Sequence, residues 1–222
     1  FPLVLSSRKI GGALASGCSI ILKGAEETPA SLAAMVACLA EELPAGALQL
    51  VYGVPSEVSE TLISSPIIRK VTFTGSVPVG RHLAQMAAKH LKRITLELGG
   101  HAPVLVFDDT DIERAVGMLA QHKFRNAGQA CLAPTRFYVQ EGIYQDFTDA
   151  FASSIQALNL GSGMDASTQV GPVANSRRQQ AVSDLIERTV AMGAKSISGN
   201  YPDQGYFVAP TLLTDIPANS PV

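Results

Sequence analysis

Cysteine is scarce. The 222 residues hold three, Cys18, Cys38 and Cys131, too few and too scattered for a disulfide framework, and no Cys-x-x-Cys or paired Cys/His spacing is there to hold zinc. A reducing, cytoplasmic setting fits that usage. Charge is also sparse, at 16% of residues, and nearly balanced, with 17 Lys+Arg against 19 Asp+Glu for a net charge of −2. Without a dense basic run the chain lacks the electrostatic footprint that a phosphate backbone requires, so nucleic acid is not expected as a partner. The uncharged stretches 10–22 and 150–164 are interrupted by Gly, Ser, Asn or Gln, short of the roughly 18–20 apolar residues a membrane span needs. No spanning segment is expected. The four histidines, His82, His90, His101 and His122, share no metal spacing, so no metal site is expected. The chain opens Phe1-Pro2-Leu3, without an initiator Met or a basic-then-apolar leader, and so reads as a piece of something longer.

What the chain does have is apolar mass: 46% of residues in 23.3 kDa, enough for one large domain or two modest ones with real cores. Short apolar runs alternate with amphipathic stretches. Ser19-Ile20-Ile21-Leu22 reads as a strand, Leu32, Met35, Val36, Leu39 and Leu43 as a helix stripe, and residues 48–52 as a second strand. The pattern continues with a strand over 67–73, a helix carrying Val79, Leu83, Met86, Ala87 and Leu91, and a strand over 94–98. This βαβ grammar predicts an α/β fold with a mostly parallel sheet and helices on both faces. After Gly99-Gly100 it resumes with a strand over 103–107, a helix starting near Asp111, and a strand over 136–139. A helix face of Ile143, Phe147, Phe151 and Ile155 follows, then a helix over 176–192 and a late strand at Tyr206-Phe207-Val208. The expected domains are therefore 1–100 and 101–222.

Four segments can carry chemistry. Thr74-Gly75-Ser76-Val77-Pro78-Val79-Gly80 joins a strand end to a helix start, where free N–H groups and the positive helix end suit an anion. Gly75 and Gly80 permit close approach, and Ser76 can bond a phosphate or simply cap the helix. Lys23 and Glu26 follow a strand at the sheet edge where open α/β folds bind nucleotides; Glu26 could accept two ribose hydroxyls and repel a 2′-phosphate, or face solvent as a helix-start acid. Glu97 lies within an apolar strand, where burial would raise its pKa toward a general base, or else it points to water from an edge. Cys131 sits in the small-residue loop Gly128-Gln129-Ala130-Cys131, with room for a substrate, and reads either as a nucleophile or as a buried structural thiol, whereas Cys18 and Cys38 read as inert core thiols. Arg125, six residues earlier, could grip an acidic substrate tail.

Taken in order, Leu22-Lys23-Gly24-Ala25-Glu26-Glu27-Thr28-Pro29, Phe73-Thr74-Gly75-Ser76, Leu96-Glu97-Leu98-Gly99-Gly100 and Gly128-Gln129-Ala130-Cys131 resemble the motifs of the aldehyde dehydrogenase superfamily. The resemblance runs through the whole chain. It implies a Rossmann-like, partial NAD-binding domain over 1–100 and a partial catalytic domain over 101–222. It implies that Cys131 attacks the aldehyde, that a thioester remains after hydride transfer, and that Glu97 activates the hydrolytic water. It places Lys23 and Glu26 at the adenosine ribose, Gly53, Gly75, Ser76 and Gly80 around the dinucleotide, and the Leu98 carbonyl at the nicotinamide amide. NAD is expected over NADP, a small aldehyde as substrate, and a homo-oligomer as the parent enzyme. Lys123-Phe124-Arg125-Asn126-Ala127-Gly128-Gln129 is similar to the branch acting on semialdehydes, where the arginine matching Arg125 binds the distal carboxylate.

The sequence departs from the family pattern in places. Gly24 stands where the family usually has proline, and the loop at Val51-Tyr52-Gly53-Val54-Pro55 lacks a second glycine. The family's oxyanion asparagine would fall just before Phe1, and its Glu-x-Phe-Gly-Pro motif beyond Val222. Two alternatives remain: a CoA-acylating semialdehyde dehydrogenase, against which Glu97 argues, and a catalytically silent nucleotide-binding relative, against which Cys131 argues.

Overall fold

The computed structural model describes residues 1–202 and 204–222. It divides into two compact units, Phe1–Gly99 and Gly100–Val222, which are described separately.

The first unit runs α1 (Pro2–Ala15), β1 (Ile20–Lys23), α2 (Pro29–Ala40), β2 (Leu48–Val51), α3 (Pro55–Ser64), β3 (Lys70–Gly75), α4 (Val77–Lys89) and β4 (Arg93–Leu98). β1 pairs with β2 in parallel from Ile20↔Leu48 to Lys23↔Val51, and β3 with β4 in parallel from Lys70↔Arg93 to Gly75↔Leu98. Both pairs need crossovers, supplied by α2 and α4, as parallel strands require. Ile10 of α1, Leu22, Leu32, Val36 and Leu48 form one buried cluster. Proline starts α2, α3 and α4 within the first two helical positions, where its missing N–H costs nothing.

The second unit runs β5 (Ala102–Val106), α5 (Ile112–Phe124), a 3₁₀ turn (Arg125–Gly128), β6 (Pro134–Val139), α6 (Tyr144–Gln156), α7 (Ser176–Ala191), β7 (Lys195–Ser198) and β8 (Thr211–Thr214). A second short 3₁₀ turn, Glu141–Ile143, leads into α6. β5 and β6 are parallel; β7 and β8 are antiparallel, in register from Lys195↔Thr214 to Ser198↔Thr211. Asp111 caps α5, its Oδ1 accepting the Arg114 N–H at 3.1 Å. The core joins Val106, Val116, Ala120, Phe124 and Ile155 to the stacked rings of Phe147 and Phe151, whose centroids lie 5.9 Å apart. Among the described residues, no helix is long and apolar enough to cross a membrane.

The α/β fold is as expected, with strands paired in four two-stranded pieces. Several expectations are corrected. The strand expected at 67–73 is Lys70–Gly75, because the Lys92 ammonium takes the carbonyls of Ser65 and Ile68 and keeps the chain there out of the ladder. Leu91 belongs to no helix stripe: it is 96% exposed at φ 52°. It closes α4 instead, with Leu91 N–H bonding Ala88 O and Lys92 N–H bonding Ala87 O. Tyr206–Val208 is not a strand. The Gln179 side-chain amide donates to the carbonyls of Gly205 and Phe207, and Val173 N–H to Tyr206 O, which satisfies that backbone without a partner strand. Cys18 and Cys38 are exposed, not core thiols. Cys18 falls in the turn closing α1, where its N–H bonds Ala13 O, and α2 buries only Leu32 and Val36.

Candidate active site

The β3–β4 pairing brings three of the expected cofactor residues together. Gly75 pairs with Leu98, and α4, rising from the end of β3, packs its buried Gly80 on the Leu98 side chain. A Cβ at Gly80 would stand 2.5 Å from Leu98 Cδ2, so glycine there is what lets helix and strand approach. Ser76 is the residue before α4, and its hydroxyl makes no cap bond. With Pro78 in the first turn, this exposed helix start combines an uncommitted hydroxyl, backbone N–H groups and the positive helix end, a donor set that fits a pyrophosphate.

Lys23 closes β1, and its Nζ pairs with Glu26 Oε1 across the loop leading to α2. The hydrogen bond from Lys23 holds the Glu26 carboxyl below its usual range. Gly24 is buried, while Glu26 is exposed. Gly53, after β2, adopts φ 148°, a conformation that side chains disfavour, and a Cβ there would lie 3.2 Å from Val58 Cγ2.

Glu97 is exposed, so of the two sequence readings the carboxylate pointing to water holds and the buried one does not. β4 alternates, with Ile94, Leu96 and Leu98 on its covered side and Glu97 on the other. Facing it electrostatically is Lys9 of α1, which sequence reasoning missed. Its Nζ donates to Thr72 Oγ1 at 3.1 Å, and burial lowers its pKa while the Glu97 carboxylate opposes that shift. A signal was available, since Arg8 and Lys9 carry the only charges in α1.

In the second unit, Cys131 lies in the turn between the Arg125–Gly128 segment and β6. Asn126 and Ala127 both adopt φ 54°, followed by Gly128 at φ 73°, three successive left-handed residues. For alanine that conformation is strained. Gln129 holds it in place: its Nε2 donates to Asn126 O at 3.0 Å, and its Oε1 accepts the Ala174 N–H at 3.0 Å. Downstream, Ala133 is 2% exposed and its N–H bonds Ala130 O, anchoring the far end. The exposed Cys131 is therefore presented between two fixed ends. Arg125 is exposed at the start of the same segment. Lys123, also missed, lies beneath it: a Cβ on Gly128 would be 4.0 Å from Lys123 Nζ. Burial, reinforced by the nearby Arg178 cation, lowers the Lys123 pKa.

A glycine-lined strand–helix junction in one unit and a presented cysteine in the other define the class to which comparison assigns this sequence. The chain belongs to the aldehyde dehydrogenase family, whose profile matches residues 1–222. It is 68% identical over 222 residues to 4-(hydroxymethyl)benzenesulfonate dehydrogenase TsaD1 of Comamonas testosteroni, covering 100% of this chain and 46% of that protein. With the NADP(+) succinate-semialdehyde dehydrogenase GabD of Escherichia coli (strain K12) it shares 39% over 225 residues, 100% of this chain and 47% of that protein. The crystal structure of succinate-semialdehyde dehydrogenase from Burkholderia pseudomallei matches with a TM-score of 0.94 at 40% identity, covering 100% of this chain and 46% of that one. The chain thus spans about half the length of the curated relatives it matches. The family uses NAD or NADP.

Proposed function

We propose that the full-length protein oxidises an aldehyde bearing a distal anionic group to the carboxylic acid, using NAD. The observation that carries this reading is Cys131, exposed at the end of a left-handed turn that Gln129 locks. Its thiolate adds to the aldehyde carbon, giving a thiohemiacetal whose oxyanion the Cys131 backbone N–H helps to hold. The nicotinamide, when bound, accepts the hydride. Loss of hydride leaves a thioester on Cys131, and Glu97 takes a proton from the water that cleaves it, freeing acid and thiol. Lys9 lies in the field of that carboxylate, which opposes the lowering of its pKa by burial. An exposed carboxylate at Glu97 supports water over coenzyme A as the acyl acceptor.

For the cofactor, Gly75, Gly80 and Leu98 form the close-packed junction, Ser76 a phosphate donor, and Gly53 the turn after β2 that we also assign to the dinucleotide. Lys23 and Glu26 serve the adenosine ribose. Glu26 is held ionised by Lys23, and a 2′-phosphate would meet that charge, so NAD is favoured. The anionic tail is assigned to Arg125. The compounds for which two relatives are named, a benzenesulfonate and succinate semialdehyde, carry a sulfonate and a carboxylate respectively, and a guanidinium can bond either by paired N–H donors. We place the enzyme in the cytoplasm as a homo-oligomer.

The test is NADH formation by the full-length protein with succinic semialdehyde, a sulfonated benzaldehyde and an uncharged aldehyde of similar length. Arg125→Ala should lower kcat/KM for the two anionic substrates by about ten- to a hundredfold, the worth of one charge-assisted bond, and leave the uncharged one within about threefold. Equal losses on all three would remove Arg125 from substrate recognition.

A further inference from the structure

Tyr52 follows β2 directly and lies across the loop that carries Glu26. Its ring rests on Gly24: a Cβ at that glycine would stand 2.3 Å from Tyr52 Cε1 and 2.6 Å from Cζ. Its hydroxyl donates to the Pro29 carbonyl in the first turn of α2 at 2.8 Å. One side chain therefore touches both ends of the segment 24–29. Between those ends lie a Thr28 N–H to Ala25 O bond at 3.4 Å and the Lys23–Glu26 pair. The Gly24 N–H, bonded to Val51 O at 3.1 Å, fixes the start of the loop to the strand from which Tyr52 projects.

We infer that Tyr52 is a positioning residue for the cofactor, a clasp that presets the Gly24–Pro29 loop so that Glu26 meets the adenosine ribose, and that Gly24 is the space the clasp needs. The inference rests on the reading that Glu26 binds the ribose. Any side chain at position 24 overlaps the ring at under 3 Å, and the ring must then swing out and surrender its bond to Pro29. Residues 24 and 52 are thus coupled, and the coupling acts on cofactor binding before chemistry. A loop already in its bound conformation has less freedom to lose when the cofactor arrives.

The experiment measures KM for NAD and NADP, and kcat at saturating NAD, in the full-length protein and in Y52F, Y52A, G24A, G24A/Y52A and E26Q. Y52F deletes the hydroxyl and keeps the ring. It should raise KM for NAD about two- to tenfold, the span of one neutral hydrogen bond, shrink the NAD over NADP preference, and leave kcat within about twofold. G24A should raise KM further in the wild-type background and by less than about twofold in the Y52A background, where no ring remains to displace. The double variant also covers the case in which G24A alone does not fold. An unchanged KM in Y52F, or an equal cost of G24A in both backgrounds, overturns the clasp. E26Q separates the two readings: if it loses NAD preference while Y52F does nothing, only the clasp fails, and if E26Q keeps that preference, ribose recognition by Glu26 fails and the clasp with it.

Discussion

Cys18, Cys38 and Cys131 are all exposed, so accessibility alone does not single out a nucleophile. What separates Cys131 is its backbone setting, a turn with three left-handed residues and a glutamine bracing it to Ala174. Cys131→Ala in the full-length protein should abolish aldehyde oxidation and leave the NAD dissociation constant within a few-fold, since in the proposed mechanism the thiol forms the covalent intermediate and holds no cofactor. Single-turnover assays and NAD titration measure both. Retention of more than about a tenth of kcat, some 1.4 kcal/mol of barrier, would sink the assignment. Lys123 gives a second prediction. Its folded pKa lies below the ordinary lysine value of 10.5, through burial first and Arg178 second, so between those two values the unfolded chain binds more protons than the folded one. Stability should rise as pH increases through that window and be flat below it, where the charged form bears its full penalty. Lys123→Met should stabilise the fold at neutral pH and remove this part of the rise, the remainder being Lys9's, which has the same sign. Urea midpoints from pH 7 to 10.5, taken as the difference between variant and wild type, measure it.

At the scale of elements, periodicity located most helices and strands and missed where they stop. α4 shows why. The stripe Gly80, Leu83, Ala87 is buried at helical spacing, and Leu91 continues that spacing numerically, yet the helix ends at Lys89. Its closing turn requires a left-handed residue, and Leu91 occupies it at φ 52° with a side chain 96% exposed. The equivalent position after α1 is Gly17, at φ 69°. Leu91→Gly should therefore stabilise the first unit by about 0.5–1 kcal/mol, strain relief outweighing the extra entropy of glycine, because no packing is lost. A higher thermal midpoint reports it; a lower one would show that the leucine contributes packing that its exposure conceals. Likewise, Tyr206–Val208 has strand-like composition, but Gly205 at φ 90° and the Gln179 amide divert its backbone. Side-chain capture of carbonyls leaves no trace in composition.

For the molecule as a whole, the junction at Gly99-Gly100 is exposed on both sides, and neither glycine would bring a Cβ within 4 Å of any atom. Limited digestion with a broad-specificity protease should cut near this junction, giving a new N-terminus close to Gly100, as N-terminal sequencing would show. First cuts inside either core would contradict the division into units. The α/β class was legible in the sequence alone, because burial selects apolar periodicity, and the residues of the proposed site were readable there as motifs, because the proposed nucleophile, carboxylate and close-approach glycines call for those residue types. The tertiary structure decided the rest: that Gly75, Gly80 and Leu98 meet, that Lys9 lies in the field of Glu97, that Tyr52 fills the space over Gly24, and that Lys123 lies beneath the cysteine loop. Each of these relations joins residues that sequence spacing does not pair, through parallel pairing, helix packing or a turn, so it exists only once the chain has folded.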